Sequence, residues 1–307
     1  MQTRIISFQQ IEQLSVVQLA TDKQNTFNYI SLSNAIKENF AAVEEITKDG
    51  IVNNLILVNN SEHYIFASDG DVLIGAKQNR VLNTSILVPP NSKTIIPVSC
   101  IEQGRWRYES KKFDPADYLS PVEIRMAKSQ SVFNNLKTND GHFANQRKVW
   151  DEVKNISHFF KVFSDTMDLD DVFIKEKGNI DSIAKKFTLS EQSNGLAIFI
   201  NDNFQSIDIY NRTDIFSEYF HKQIKSAFLN SIRTEKQQSS FDESRAIEMT
   251  FQFLDKLNNL HFNIFNGVGV GEEKRFSNDE ITGFILTYKE EMIHTSVLKS
   301  LGGKYNH

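Results

Sequence analysis

The sequence predicts an α+β protein with a β-rich sandwich or barrel in its first third, a helical middle and a mixed α/β last third. Three observations carry this prediction. Short apolar runs separated by turn residues fill positions 51–112, as in small sheets joined by tight connections. All five prolines lie between positions 89 and 121, and proline belongs at turns, strand ends and first helical turns rather than inside helices. Beyond them, apolar residues recur three and four apart, as on one face of a helix. The change of character near residue 115 divides the chain into a β-rich domain at 1–117 and a helical and mixed α/β region at 118–307, which can pack with the first as one unit.

The elements follow in order. Ser31 or Ser33 can cap a helix over 30–46, with Leu32, Ile36, Phe40 and Val43 near one face. Strands are expected at 52–58, 63–67, 72–74, 81–88 and 94–101, with a short sixth at 106–108. The Ser120, Pro121, Glu123 pattern opens a helical stretch that runs to about 190. Within it, Val149, Val153, Ile156, Phe160 and Phe163 line one face of a helix over 145–163, which Asp168, Asp170 and Asp171 then break or cap. A hairpin is expected from 196–200 and 204–210, then helices over 214–232 and 243–260, then a closing strand pair at 281–287 and 292–298.

Length and composition narrow the function. A chain of 307 residues with 40% hydrophobic residues can bury a substantial core, and 24 Phe against 2 Trp and 5 Met make that core Phe-based. A formal charge of −5 argues against general nucleic-acid binding, which draws on a surplus of Lys and Arg. Cys100 is the single cysteine, so no internal disulfide can form. The sequence has no signal-peptide core and no apolar stretch of membrane-spanning length. These features predict a soluble, cytoplasmic protein.

The window from Asp69 to Lys112 is the chemically richest. It holds seven Lys or Arg (Lys77, Arg80, Lys93, Arg105, Arg107, Lys111, Lys112) against four acids, so it is positive within an acidic chain. Arginine forks onto phosphate or carboxylate, and Gly75 lets backbone approach a ligand. Lys77, Gln78, Asn79 and Arg80 are therefore candidates for holding and orienting an anion, with Arg105 and Trp106 completing the pocket. The competing reading is a solvated turn with Arg80 in a structural ion pair and Trp106 in the core. Glu102 is a candidate acid or base and equally a partner for Arg105. Cys100 is a candidate nucleophile if its setting forms thiolate, and a buried structural cysteine otherwise. No histidine spacing suits zinc, the acids at 168–171 read as a helix end, and Gly267, Gly269 and Gly271 read as a tight turn or close packing rather than a phosphate loop. No metal and no cofactor is expected.

The runs GDVLIGAKQNR at 70–80, IPVSCIE at 96–102 and GRW at 104–106 resemble the ARG and rhodanese-phosphatase-associated protein domain, where ARG abbreviates ADP-ribosylglycohydrolase. The similarity continues at QRKVW (146–150), IDIY (207–210), the glycines at 267–271, Arg275 and His294, and so covers about residues 30 to 300. The family is named for the genes it accompanies, and the resemblance implies a setting of ADP-ribose and phosphoester chemistry without supplying an activity. The resulting expectation is binding or sensing of a phosphorylated small molecule such as a nucleotide or ADP-ribose derivative. The alternatives are a hydrolase or transferase acting on such a ligand, and a non-catalytic protein-interaction scaffold. The expected partner is an anionic small molecule, with no membrane.

Overall fold

The computed structural model describes residues 2–22, 27–47, 50–236 and 241–300. The chain opens with an antiparallel hairpin, β1 (Thr3–Ile11) and β2 (Leu14–Thr21), turned at Glu12 with φ +56°. Sequence reading assigned no element here. β1 is half-buried along most of its length, with a register shift between Ile5 and Ser7, so it carries no regular alternation, and the two turn residues, Glu12 and Gln13, lack the Asn-Gly type of signal. After β3 (Tyr29–Ser31) the expected helix over 30–46 is only α1 (Leu32–Lys37), capped by the Ser31 side chain on the Asn34 N–H. Asn39 at φ +59° ends it, and Ala41 and Val43 lie instead in β4 (Ala41–Glu44), paired with β5 (Asn54–Asn59).

The next strands are β6 (Tyr64–Ala67), β7 (Asp71–Gly75), β8 (Arg80–Leu82), β9 (Ile86–Val88), β10 (Ser92–Cys100) and β11 (Phe113–Leu119). The single strand expected at 81–88 is thus two, in different sheets. Asn83, Thr84 and Ser85 interrupt it because their side chains bond outward, to Ser99, Glu273 and His294. No strand forms at 106–108, which is loop. A six-stranded sheet runs β11-β7-β8-β10-β5-β4, and a three-stranded sheet runs β3-β6-β9. Leu55, Leu57, Leu73, Leu82, Ile96 and Val98 of the first join Ile65, Ala67, Ile86 and Val88 of the second in one apolar cluster. This is the expected β-rich first third, as two layers around a shared core.

The middle is helical: α2 (Val122–Lys137), α3 (Gln146–Phe159) and α4 (Leu169–Ala184). Asn145 caps α3, whose Val149, Val153 and Ile156 are buried, and Asp168 caps α4. Then come the hairpin β12 (Gly195–Ile200) and β13 (Asn203–Tyr210), α5 (Thr213–Ile232), α6 (Glu243–Asn258), β14 (Asn263–Asn266), β15 (Glu272–Ser277), β16 (Ile281–Tyr288) and β17 (Glu291–Lys299). The α5 face of Phe216, Phe220, Ile224 and Phe228 is buried as its spacing predicts. These strands form an eight-stranded antiparallel sheet, β1-β2-β12-β13-β17-β16-β15-β14, so the first hairpin pairs with the last third.

The glycines at 267–271 connect β14 to β15 and pack tightly. Leu87 and Val270 bond through their backbones, and a Cβ on Gly269 (φ +83°) would collide with the Leu87 carbonyl. Among the described residues no helix is long and apolar enough to cross a membrane.

Candidate functional site

The β7–β8 turn carries the polar run, and it is not a solvated turn: Lys77, Gln78, Asn79 and Arg80 are all buried. Gly75 has φ +121°, and a Cβ there would stand 2.5 Å from Ser110 Oγ, so the position requires glycine. Ala76 at φ +42° is held by its N–H to Ser110 Oγ at 2.9 Å. Asn79 closes the turn: its Oδ1 accepts the Gly75 N–H at 2.8 Å and its Nδ2 donates to Asp168 at 2.7 Å. Its backbone N–H donates to Glu102 at 3.0 Å. Arg105 grips both Glu102 oxygens, at 2.8 and 2.7 Å, and donates to the Ala76 carbonyl at 2.7 Å. Burial lowers the Arg105 proton affinity, but Glu102 outweighs it and the net shift is upward. Burial pushes the Asp168 carboxyl up to about 8, against the Asp170 N–H that pulls it down.

Around this frame stand the other candidates. The Lys77 ammonium lies 5.3 Å from the Trp106 ring centre and 5.1 Å from that of Tyr108, and the Arg80 guanidinium lies 5.7 Å from Trp106. Trp106 is 44% exposed and Tyr108 50%, so this tryptophan is at the surface and not in the core. Arg80 is fully buried and donates to the Gln78 carbonyl at 3.0 Å and to Gln78 Oε1 at 3.2 Å, while Gln78 donates to the Gln103 carbonyl. Cys100 pairs with Arg80 in the β8–β10 register and is buried. Burial pushes its thiol up to about 11, and Gln146 bonds its backbone N–H and carbonyl at 2.8 Å each.

The structure therefore brings Lys77, Gln78, Asn79, Arg80, Cys100, Glu102, Arg105 and Trp106 into one cluster. Sequence reading missed Glu45, whose carboxylate reaches 3.8 Å from Arg80, and Tyr108. Glu45 carried no signal, because its segment read as helix.

A second polar assembly lies deeper. Arg125 on α2 binds Asp69 at 3.0 Å, Asp208 of β13 at 2.6 and 3.0 Å, and Ser296 of β17 at 2.9 Å. Lys128 binds Asp69 at 2.9 Å. Ser85 Oγ meets His294 Nδ1 at 2.8 Å, and His294 Nε2 meets Asp208 at 3.3 Å. That Ser–His–Asp chain has the partners of a hydrolytic triad, but all three residues are buried. Ser85 Oγ also accepts the Asp69 N–H, and Asp208 is clamped by Arg125. The chain therefore acts as a lock between strands. Burial pushes the Asp208 carboxyl up, yet Arg125 and His294 outweigh it and hold it well below the usual range. Beside it, Glu273 accepts from Arg275 and Thr84 and lies 3.3 Å from His142 Nε2; burial is again outweighed, by Arg275 first, and its carboxyl is held at about 2.

The chain is thus an α+β protein whose sheets are pinned by buried ion pairs and whose β7–β8 turn holds two buried cations, Lys77 and Arg80, beside exposed aromatic rings. It belongs to the ARG and Rhodanese-Phosphatase-superfamily-associated Protein domain family, whose sequence model matches residues 2–298. No curated protein and no solved structure matches it.

Proposed function

We propose that this protein is a cytoplasmic binding or sensing domain for a phosphorylated small molecule with an aromatic base, such as a nucleotide or an ADP-ribose derivative. One observation carries the reading. Lys77, buried at 7% exposure, lies between two half-exposed rings, and no ion pair is formed by it among the described residues. Trp106 offers a stacking face for a base, and Lys77 with Arg80 supplies charge for phosphate. Gln78, Asn79 and Arg105 shape the turn that holds both. Binding is favoured over catalysis because both Glu102 oxygens are occupied by Arg105 and the Cys100 thiol is held protonated.

Titration with ADP-ribose, ADP, ATP and inorganic pyrophosphate tests this by melting temperature and tryptophan fluorescence. The nucleotides should raise the melting temperature and quench the fluorescence, and Lys77→Ala or Trp106→Ala should weaken binding at least tenfold. Absence of any shift at millimolar nucleotide overturns the reading.

A further inference from the structure

The Arg80–Glu45 pair is unusual within this cluster. Arg80 is 0% exposed and the Glu45 side chain 2%, so both charges are out of water. Among the described residues Arg80 Nε and Nη2 find no acceptor, and neither Glu45 oxygen accepts a hydrogen bond. Their closest approach is 3.8 Å, well beyond the roughly 2.7–2.9 Å of a formed charge-assisted bond. Burial lowers the proton affinity of Arg80, as expected of a guanidinium with an incomplete partner. Arg80 Nη2 and Glu45 Oε1 thus approach each other without bonding, with Arg80 Nε and Glu45 Oε2 also unpaired among the described residues, and buried polar groups in that condition call for a missing partner. The pair also adjoins the proposed ligand surface. A Cβ on Gly50 would lie 3.3 Å from Glu45 Oε2, 3.2 Å from Lys77 Cδ and 3.1 Å from Trp106 Cζ2.

We propose that Glu45 is a built-in competitor for Arg80, occupying its free edge loosely until the anionic group of a ligand displaces it. This rests on the binding reading above. A phosphate oxygen accepts from Nε and Nη2 together at full hydrogen-bond length, which Glu45 does not achieve. Glu45 would then turn out towards water, so the site exchanges a poor internal anion for a good external one. The carboxylate sets the threshold at which ligand is held and excludes weakly charged molecules.

The test compares ADP and inorganic pyrophosphate binding to wild type, Glu45→Gln and Trp106→Ala by calorimetry, with near-ultraviolet circular dichroism to verify folding. Removing the competing charge should tighten both probes about tenfold in Glu45→Gln. If Glu45→Gln does not fold, Glu45→Ala, which leaves room for water around Arg80, is measured in its place. Unchanged or weaker binding in the folded Glu45 variant overturns the competitor, and the binding reading survives if wild type binds ADP and Trp106→Ala does not. Binding by the Glu45 variant alone supports the competitor, whereas no binding by either protein overturns both ideas. Wild-type crystals soaked in pyrophosphate give a readout free of mutation. The anion should sit on Arg80 with Glu45 moved away, and an anion on Lys77 alone with the Arg80–Glu45 contact intact overturns the proposal.

Discussion

Arg105 and Lys77 belong to the same positive window, yet their surroundings give them opposite roles. Arg105 meets Glu102 through two bonds and the backbone through others, so its charge is neutralised inside the frame. Lys77, also buried, faces two rings instead of a carboxylate. Removing one member of a buried ion pair strands the other, which typically costs about 3–5 kcal/mol. Arg105→Ala should therefore destabilise the protein by an amount of that order in urea unfolding. A loss below about 1 kcal/mol, the size of an exposed pair, would show that Glu102 finds water. The charge count along the sequence located the window and the residues that share it. The local spacing also offered Glu102 as the partner of Arg105, but partners distant in sequence were out of its reach. Glu45 beside Arg80 and Asp168 beside Asn79 are both of that kind.

At the level of elements, α4 begins at Asp168, which caps it by accepting the Asp170 N–H at 3.1 Å and also accepts from Asn79. A carboxyl raised from 3.8 to about 8 binds its proton more tightly in the folded state. Its contribution to stability is complete below pH 4 and is lost as pH rises through about 8. Urea titrations between pH 4 and 8 should show this downward component, and Asp168→Asn, which retains a capping oxygen, should remove it whatever its mean stability. An identical slope in the variant would mean that Asp168 is ionised throughout. The acids at 168–171 read as the end of the preceding helix, whereas Asp168 starts the next one; α5, the β12–β13 hairpin and the β16–β17 pair, whose apolar residues are mostly buried, were legible. The split between β8 and β9 was not. Residues 81–88 read as one apolar strand, and only the distant partners of Asn83, Thr84 and Ser85 break it. Phe40 and Val43 suited the helical face read over 30–46, but the chain leaves α1 before them and Val43 pairs with Leu57 of β5.

Across the whole molecule, the two buried ion networks join parts of the chain that pattern reading treats separately. Arg125 connects α2 to the turn before β7 and to the eight-stranded sheet, while Thr84 carries the β8–β9 break onto Glu273 and Arg275 of β15. Acid should therefore act on the fold through these links. Glu273 is fully buried with its carboxyl lowered from 4.5 to about 2, so its contribution is present above pH 4.5 and disappears as pH falls through 2. A depression of that size corresponds to about 3 kcal/mol, and Asp208, also lowered, adds in the same direction. Unfolding free energy should fall by up to about 1.4 kcal/mol per pH unit for each such group within its window. In Glu273→Gln the protein should be weaker at neutral pH, because Arg275 loses its partner, but its decline between pH 4.5 and 2 should be shallower by about one proton. An unchanged acid slope would place the sensitivity in other carboxylates and remove Glu273 from the set that holds the sheets together.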